Sequence, residues 1–151
     1  MAIRLKDAGQ TLEVGRRLGR AALPGDVLLI EGPLGAGKTV LVQGLAEGLD
    51  CDGEATSPTF VLVRQHEGRL PLVHADLYRL ENVAEVRALG LLELAESGVL
   101  AVEWPERDRG LGVDGATRLR ITQGTAGEDA RTLHVESAPA HLLAVLDEAA
   151  P

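Results

Sequence analysis

The sequence predicts an α/β fold: a three-layer sandwich in which helices cover a mixed central β-sheet. Three observations lead there. Gly32-Pro33-Leu34-Gly35-Ala36-Gly37-Lys38-Thr39 fits G-x-x-x-x-G-K-[ST], the phosphate-binding P-loop, and lies between a strand-like run and a helical pattern. Strand and helix patterns are interleaved along the chain, as in P-loop NTPase-like folds. Three apolar strands end in polar groups: the P-loop itself, Asp76 and Glu103. Ligands in open α/β sheets bind beyond the carboxyl ends of the strands.

Each element has a local reason. Asp7 can cap a first helix that carries Thr11, Val14, Leu18 and Ala21 at near-helical spacing, and Pro24-Gly25 ends it. Asp26–Glu31 reads as the first strand. The helix that starts at Lys38 places Leu41, Leu45 and Leu49 on one face, with Gly48 near its end. Residues 51–56 are polar and loop-like. Thr59–Arg64 and Leu70–Ala75 read as strands on either side of a Glu67-Gly68 turn. Such a hairpin makes the sheet mixed rather than wholly parallel.

Asn82 and Glu85 resemble a capping box, and Gly90 divides the helical region Val83–Glu96 in two. Val99–Val102 is a buried strand that ends at Glu103, and Pro105 stops it. Asp108–Gly115 is a loop. Thr117–Gln123 and Arg131–Glu136 alternate like a hairpin around Gly124–Gly127, and a last helix runs over Ala138–Ala149. No internal repeat or linker interrupts the chain, so residues 1–151 are expected to form a single domain.

The chemistry follows from the motif. P-loop glycines let successive N–H groups surround phosphate oxygens, and the helix aims its N-terminal dipole at the same anion. Lys38 would reach the β- and γ-phosphates, and the Thr39 hydroxyl would ligate Mg²⁺. A metal-dependent cycle also needs an acid at a strand end; Asp76 and Glu103 both have that shape. One would orient the Mg²⁺ shell and the other the attacking water, and pattern alone does not divide the roles. Ser57-Pro58-Thr59 is either a switch segment that senses the γ-phosphate or a simple Ser-Pro turn. Arg79 suits a phosphate or an ion pair equally. His74 reads as a packed strand residue, because no His/Cys cluster surrounds it. Phe60, Tyr78 and Trp104 are the only aromatics, and Trp104 is favoured for a place at the site.

Composition narrows the setting. The net charge of −8 argues against binding RNA or DNA unaided. No apolar run is long enough to span a membrane, and the N-terminus lacks the apolar core of a signal peptide. The single cysteine, Cys51, cannot form an internal disulfide, which suits a reducing cytoplasm.

Four segments in order point to one family. They are the P-loop at 32–39, Ser-Pro-Thr-Phe-Val-Leu-Val at 57–63, His-Ala-Asp-Leu-Tyr-Arg-Leu at 74–80 and Val-Glu-Trp-Pro-Glu-Arg at 102–107. With them the chain resembles the TsaE family, small bacterial ATPases of tRNA threonylcarbamoyladenosine biosynthesis. The resemblance implies ATP/ADP with Mg²⁺ and weak hydrolysis. It also implies a TsaB–TsaD partner pair, which carries out the threonylcarbamoyl transfer, and tRNA reached only through those partners.

The resemblance extends to single residues. Gly35, Ala36, Gly37, Lys38, Thr39 and Val40 carry over as the phosphate loop, with Lys38, Asp76 and Glu103 as catalytic residues. Thr39 and Glu103 carry over as metal ligands, Thr11 as a neighbour of the base, and Arg131 as a nucleotide contact. Ser57, Pro58 and Thr59, with Tyr78, Arg79 and Trp104, carry over as switch or neighbouring residues. Pro33 stands where the family commonly has Asp, and Ala75 where an aromatic is frequent.

Other readings share the P-loop. A small-molecule kinase would need a lid with several arginines, for which Arg107 and Arg109, a close pair after the third motif, are few. A GTPase would need a later lysine, whereas the lysines here are Lys6 and Lys38. A nucleotide-gated assembly module with incidental hydrolysis also stays open.

Overall fold

Among the described residues a sheet of seven strands organises the molecule, in the spatial order Ala2–Leu5, Arg131–Ser137, Thr117–Gln123, Val27–Glu31, Val99–Glu103, Leu72–Asp76, Val63–His66. The computed structural model describes residues 1–33, 35–52, 63–78, 90–104 and 114–149. The strands are β1 (Ala2–Leu5), β2 (Val27–Glu31), β3 (Val63–His66), β4 (Leu72–Asp76), β5 (Val99–Glu103), β6 (Thr117–Gln123) and β7 (Arg131–Ser137). The helices are α1 (Ala8–Ala21), α2 (Lys38–Gly48), α3 (Leu91–Leu94) and α4 (Ala140–Ala149).

The four central strands, β6, β2, β5 and β4, are parallel, so their carboxyl ends share one edge. The antiparallel strands β7 and β1 flank them on one side and β3 on the other. The sheet is therefore mixed, as expected. Of the central strands, β2, β5 and most of β4 read as continuous apolar runs because both faces are covered, whereas β6 alternates. Leu28 and Ile30 of β2 pack with α1, α2 and α4, while Val27 and Leu29 pack with Leu91 and Ala95 on the opposite face. This is the three-layer arrangement.

Local chemistry sets the element ends. Asp7 caps α1 by accepting from the Gln10 amide at 2.9 Å. Gly90, at φ 59°, opens α3. The last helix starts at Ala140 rather than Ala138, because Pro139 sits at its entrance and accepts from Leu142 and Leu143.

Asp26–Glu31 is not the first strand. Ala2–Leu5 precedes it and pairs with β7, burying Ile3 and Leu5. Four residues carry too short a pattern to announce themselves; pairing at long range makes the strand. The expectations on Ser57-Pro58-Thr59, Phe60, Arg79, Asn82, Glu85, Arg107 and Arg109 lie outside the described residues.

Helix α1 meets α2 backbone to backbone at glycines, with Arg16 of α1 paired to Glu47 of α2 beside them. A Cβ on Gly44 would stand 2.1 Å from the Leu12 carbonyl, and one on Gly15 would stand 2.3 Å from the Leu41 carbonyl. Gly19 and Gly48 repeat the contact one turn on. The two backbones thus touch without intervening side chains, which fixes α2 and the loop that feeds it.

Candidate active site

The site forms where β2, β5 and β4 end. After β2 the chain turns through Gly35 and Gly37, at φ 77° and 102°, a region closed to most side chains. Gly37 is the N-cap of α2, and among the described residues no side chain caps it. Such an end offers its amides and positive dipole to an anion. Lys38 and Thr39 follow as the first residues of the helix; Val40, half-buried, is the third.

Arg131 grips this loop. Its Nε donates to the Ala36 carbonyl at 3.0 Å and one Nη to the Gly35 carbonyl at 3.1 Å. The other Nη donates to Glu128 and Ala130 at 2.9 and 2.8 Å. Arg131, marked by resemblance as a nucleotide contact, thus stands against the loop backbone. Thr11 is buried beside the same loop: a Cβ on Gly37 would lie 4.0 Å from its methyl. A cavity of about 730 Å³ adjoins, lined in part by Lys6, Gln10, Arg17, Arg131 and Thr132.

Lys38 is 5% exposed. Its Nζ donates to the carbonyls of Gly32 and Pro33 and lies 3.6 Å from the Trp104 ring centroid, a cation–π contact. Trp104 takes φ 60°, a left-handed conformation unusual for a bulky residue. Its ring centroid is 4.9 Å from that of Tyr78, itself 44% exposed.

The two acids are register partners: Asp76 of β4 lies opposite Glu103 of β5. Glu103 is 2% exposed. Its Oε1 accepts from the Thr39 hydroxyl at 3.4 Å, and its Oε2 lies 2.6 Å from His74 Nε2. Asp76 is half-buried, and its Oδ1 accepts from the Tyr78 amide at 3.0 Å. The structure therefore brings Lys38, Thr39, Asp76, Glu103, Tyr78 and Trp104 together, with Thr11 and Arg131 supporting the loop.

The sequence reading missed His74, which it treated as packing. The signal was available: His74 is two residues before Asp76, so the two share a face of β4. His66 stands on that face of the adjacent strand β3. Burial, with His74 and Arg64 nearby, holds its imidazole below the usual histidine range. Among the described residues, no group of three or more His, Cys, Asp or Glu is placed to hold a metal, and no helix is long and apolar enough to cross a membrane.

Comparison with known proteins points to one family and one fold. The family model "Threonylcarbamoyl adenosine biosynthesis protein TsaE" matches residues 5–133. A Streptomyces coelicolor protein named tRNA threonylcarbamoyladenosine biosynthesis protein TsaE is 40% identical, covering 82% of this chain and 86% of its own. A Nostoc protein of the same name is 49% identical, covering 68% of this chain and 67% of its own. A Mycobacterium bovis one is 46% identical, and the match spans 63% of its length, just under two thirds. The crystal structure of Bacillus subtilis YdiB superposes with a TM-score of 0.77 at 27% identity, over 99% of this chain and 93% of that one.

Proposed function

The chain belongs to the TsaE family, and from that premise we propose that it is a Mg²⁺-dependent ATPase serving tRNA threonylcarbamoyladenosine biosynthesis. It works on a TsaB–TsaD-like pair in the cytoplasm and supports that pair's repeated turnover. The observation that carries this reading is the 3.4 Å approach of the Thr39 hydroxyl to Glu103 Oε1, beside the Gly32–Thr39 loop.

Two oxygens that share a Mg²⁺ at right angles lie about 3 Å apart. The Thr39–Glu103 spacing is close to that, and both donors are hard oxygens. These residues would hold the ion, which when bound neutralises charge on the β- and γ-phosphates. The loop amides and the α2 dipole bind the phosphate chain. Lys38 leaves the Gly32 and Pro33 carbonyls and takes up the β- and γ-phosphates. Asp76, next to Glu103 but more open to solvent, orients the attacking water and accepts its proton. The cavity lined in part by Gln10, Arg17 and Arg131 receives the nucleoside. The net charge of −8 leaves tRNA contact to the partners.

Reconstitution tests this. ATP turnover and tRNA modification are measured with and without the TsaB–TsaD pair. Partner-stimulated hydrolysis and repeated modification are the expected result. Turnover indifferent to the partners, with no gain in modification, overturns the proposal. Should Glu103→Ala bind ATP, fail to hydrolyse it and still support modification, the chain is an assembly module instead.

A further inference from the structure

We propose that His74 is a positioning residue for Glu103, aiming one carboxylate oxygen at Thr39. The inference rests on the reading of Thr39 and Glu103 as a metal-binding pair.

His74 is 0% exposed and Glu103 is 2% exposed, so water does not solvate either side chain. A buried carboxylate is costly unless donors reach it. His74 Nε2 lies 2.6 Å from Glu103 Oε2, and the Thr39 hydroxyl 3.4 Å from Oε1. A carboxylate has no proton to give, so Nε2–H of His74 is the donor. The register explains the reach. His74 lies opposite Ala101, two residues before Glu103, so the imidazole crosses diagonally to Glu103 on the same face.

This bond divides the carboxylate. Oε2 is taken by the histidine, and Oε1 is left facing Thr39 and the loop. Glutamate has three rotatable bonds, and one strong donor removes most of that freedom. Metal-binding carboxylates are commonly oriented by such outer partners. Among the described residues, the other ring nitrogen, Nδ1, is buried with no hydrogen-bond partner. The imidazole is therefore directed by its Nε2 bond and by packing.

The position of the donor atom gives the test. A glutamine amide nitrogen can stand near the place of imidazole Nε2; an asparagine nitrogen stands near that of Nδ1. His74→Ala, His74→Asn and His74→Gln are compared in the full chain. ADP affinity is measured with and without Mg²⁺, and ATP turnover with the partner pair is followed across Mg²⁺ concentration. His74→Ala and His74→Asn are expected to lose about 10–100-fold in Mg²⁺ affinity or in turnover. Metal-free ADP binding should change less than about twofold, since the loop and Lys38 are untouched. His74→Gln should recover most of the loss. Equal behaviour of the Asn and Gln variants, or wild-type Mg²⁺ dependence in His74→Ala, overturns the proposal. Thermal unfolding of all three separates a packing defect, which lowers stability and metal-free binding together. The two readings fail differently. A wild-type protein without partner-dependent turnover refutes the ATPase reading, while the Mg²⁺ dependence of ADP binding still decides the role of His74.

Discussion

The two sides of the candidate site are held by different physics. On the loop side, backbone meets backbone. Gly15 and Gly19 of α1 touch Gly44 and Gly48 of α2, and Arg131 fastens the carbonyls of Gly35 and Ala36. On the acid side, side chains meet side chains: buried His74 and Glu103 form a line with half-buried Thr39, and Lys38 rests on Trp104. Under the proposed function, the loop side fixes a shape that suits a nucleotide phosphate, and the acid side adds the chemistry that acts on it. Damage to one side should therefore leave the other recognisable.

Glu103→Gln breaks the acid side most completely. ATP turnover should fall on the order of 100-fold, with metal-free ADP binding little changed, as measured by ADP release and by nucleotide titration. Gly44→Ala attacks the loop side. Its Cβ would stand 2.1 Å from the Leu12 carbonyl and 2.9 Å from the Gly15 Cα, so the helices must part. Denaturant unfolding should show a loss of about 2 kcal/mol. Arg131→Ala leaves the loop standing but loosens it. ADP binding should weaken about tenfold, both with and without Mg²⁺, because the loss lies on the loop side. Trp104→Leu is the mildest. Removing the ring from Lys38 should shift nucleotide affinity two- to fivefold, in line with a cation–π contact of about 0.5–1 kcal/mol. A Mg²⁺-dependent defect in Arg131→Ala would show that the two sides are coupled.

The loop side was partly legible in the sequence. Asp7 before α1, the glycines before Lys38 and the Gly124–Gly127 turn are local signals, and the structure forms each where the pattern put it. The paired glycines were also visible, four residues apart in each helix, but nothing local says that two such stripes face each other. β1 was invisible for a similar reason, since it exists only by pairing with β7.

The acid side shows the opposite balance. Asp76 and Glu103 were readable as strand ends because apolar runs stop there. Their difference in environment was not. It depends on which side chain crosses from β4 to β5, and register decides that. His74 looked like packing because its partner stands 29 residues away. Arg131 reaches the loop across 95 residues. Sequence periodicity gives the face of a residue, and tertiary pairing gives its partner.

The contact between Lys38 and Trp104 has a practical side. The chain holds one tryptophan, and its ring lies 3.6 Å from the ammonium of the loop lysine and 4.9 Å from the sole tyrosine ring. Indole emission responds to charge at the ring face. The protein thus carries its own optical probe, set at the point where, under the proposed function, a nucleotide would draw the lysine away. Stopped-flow fluorescence can follow that departure in unlabelled protein and time it against phosphate release.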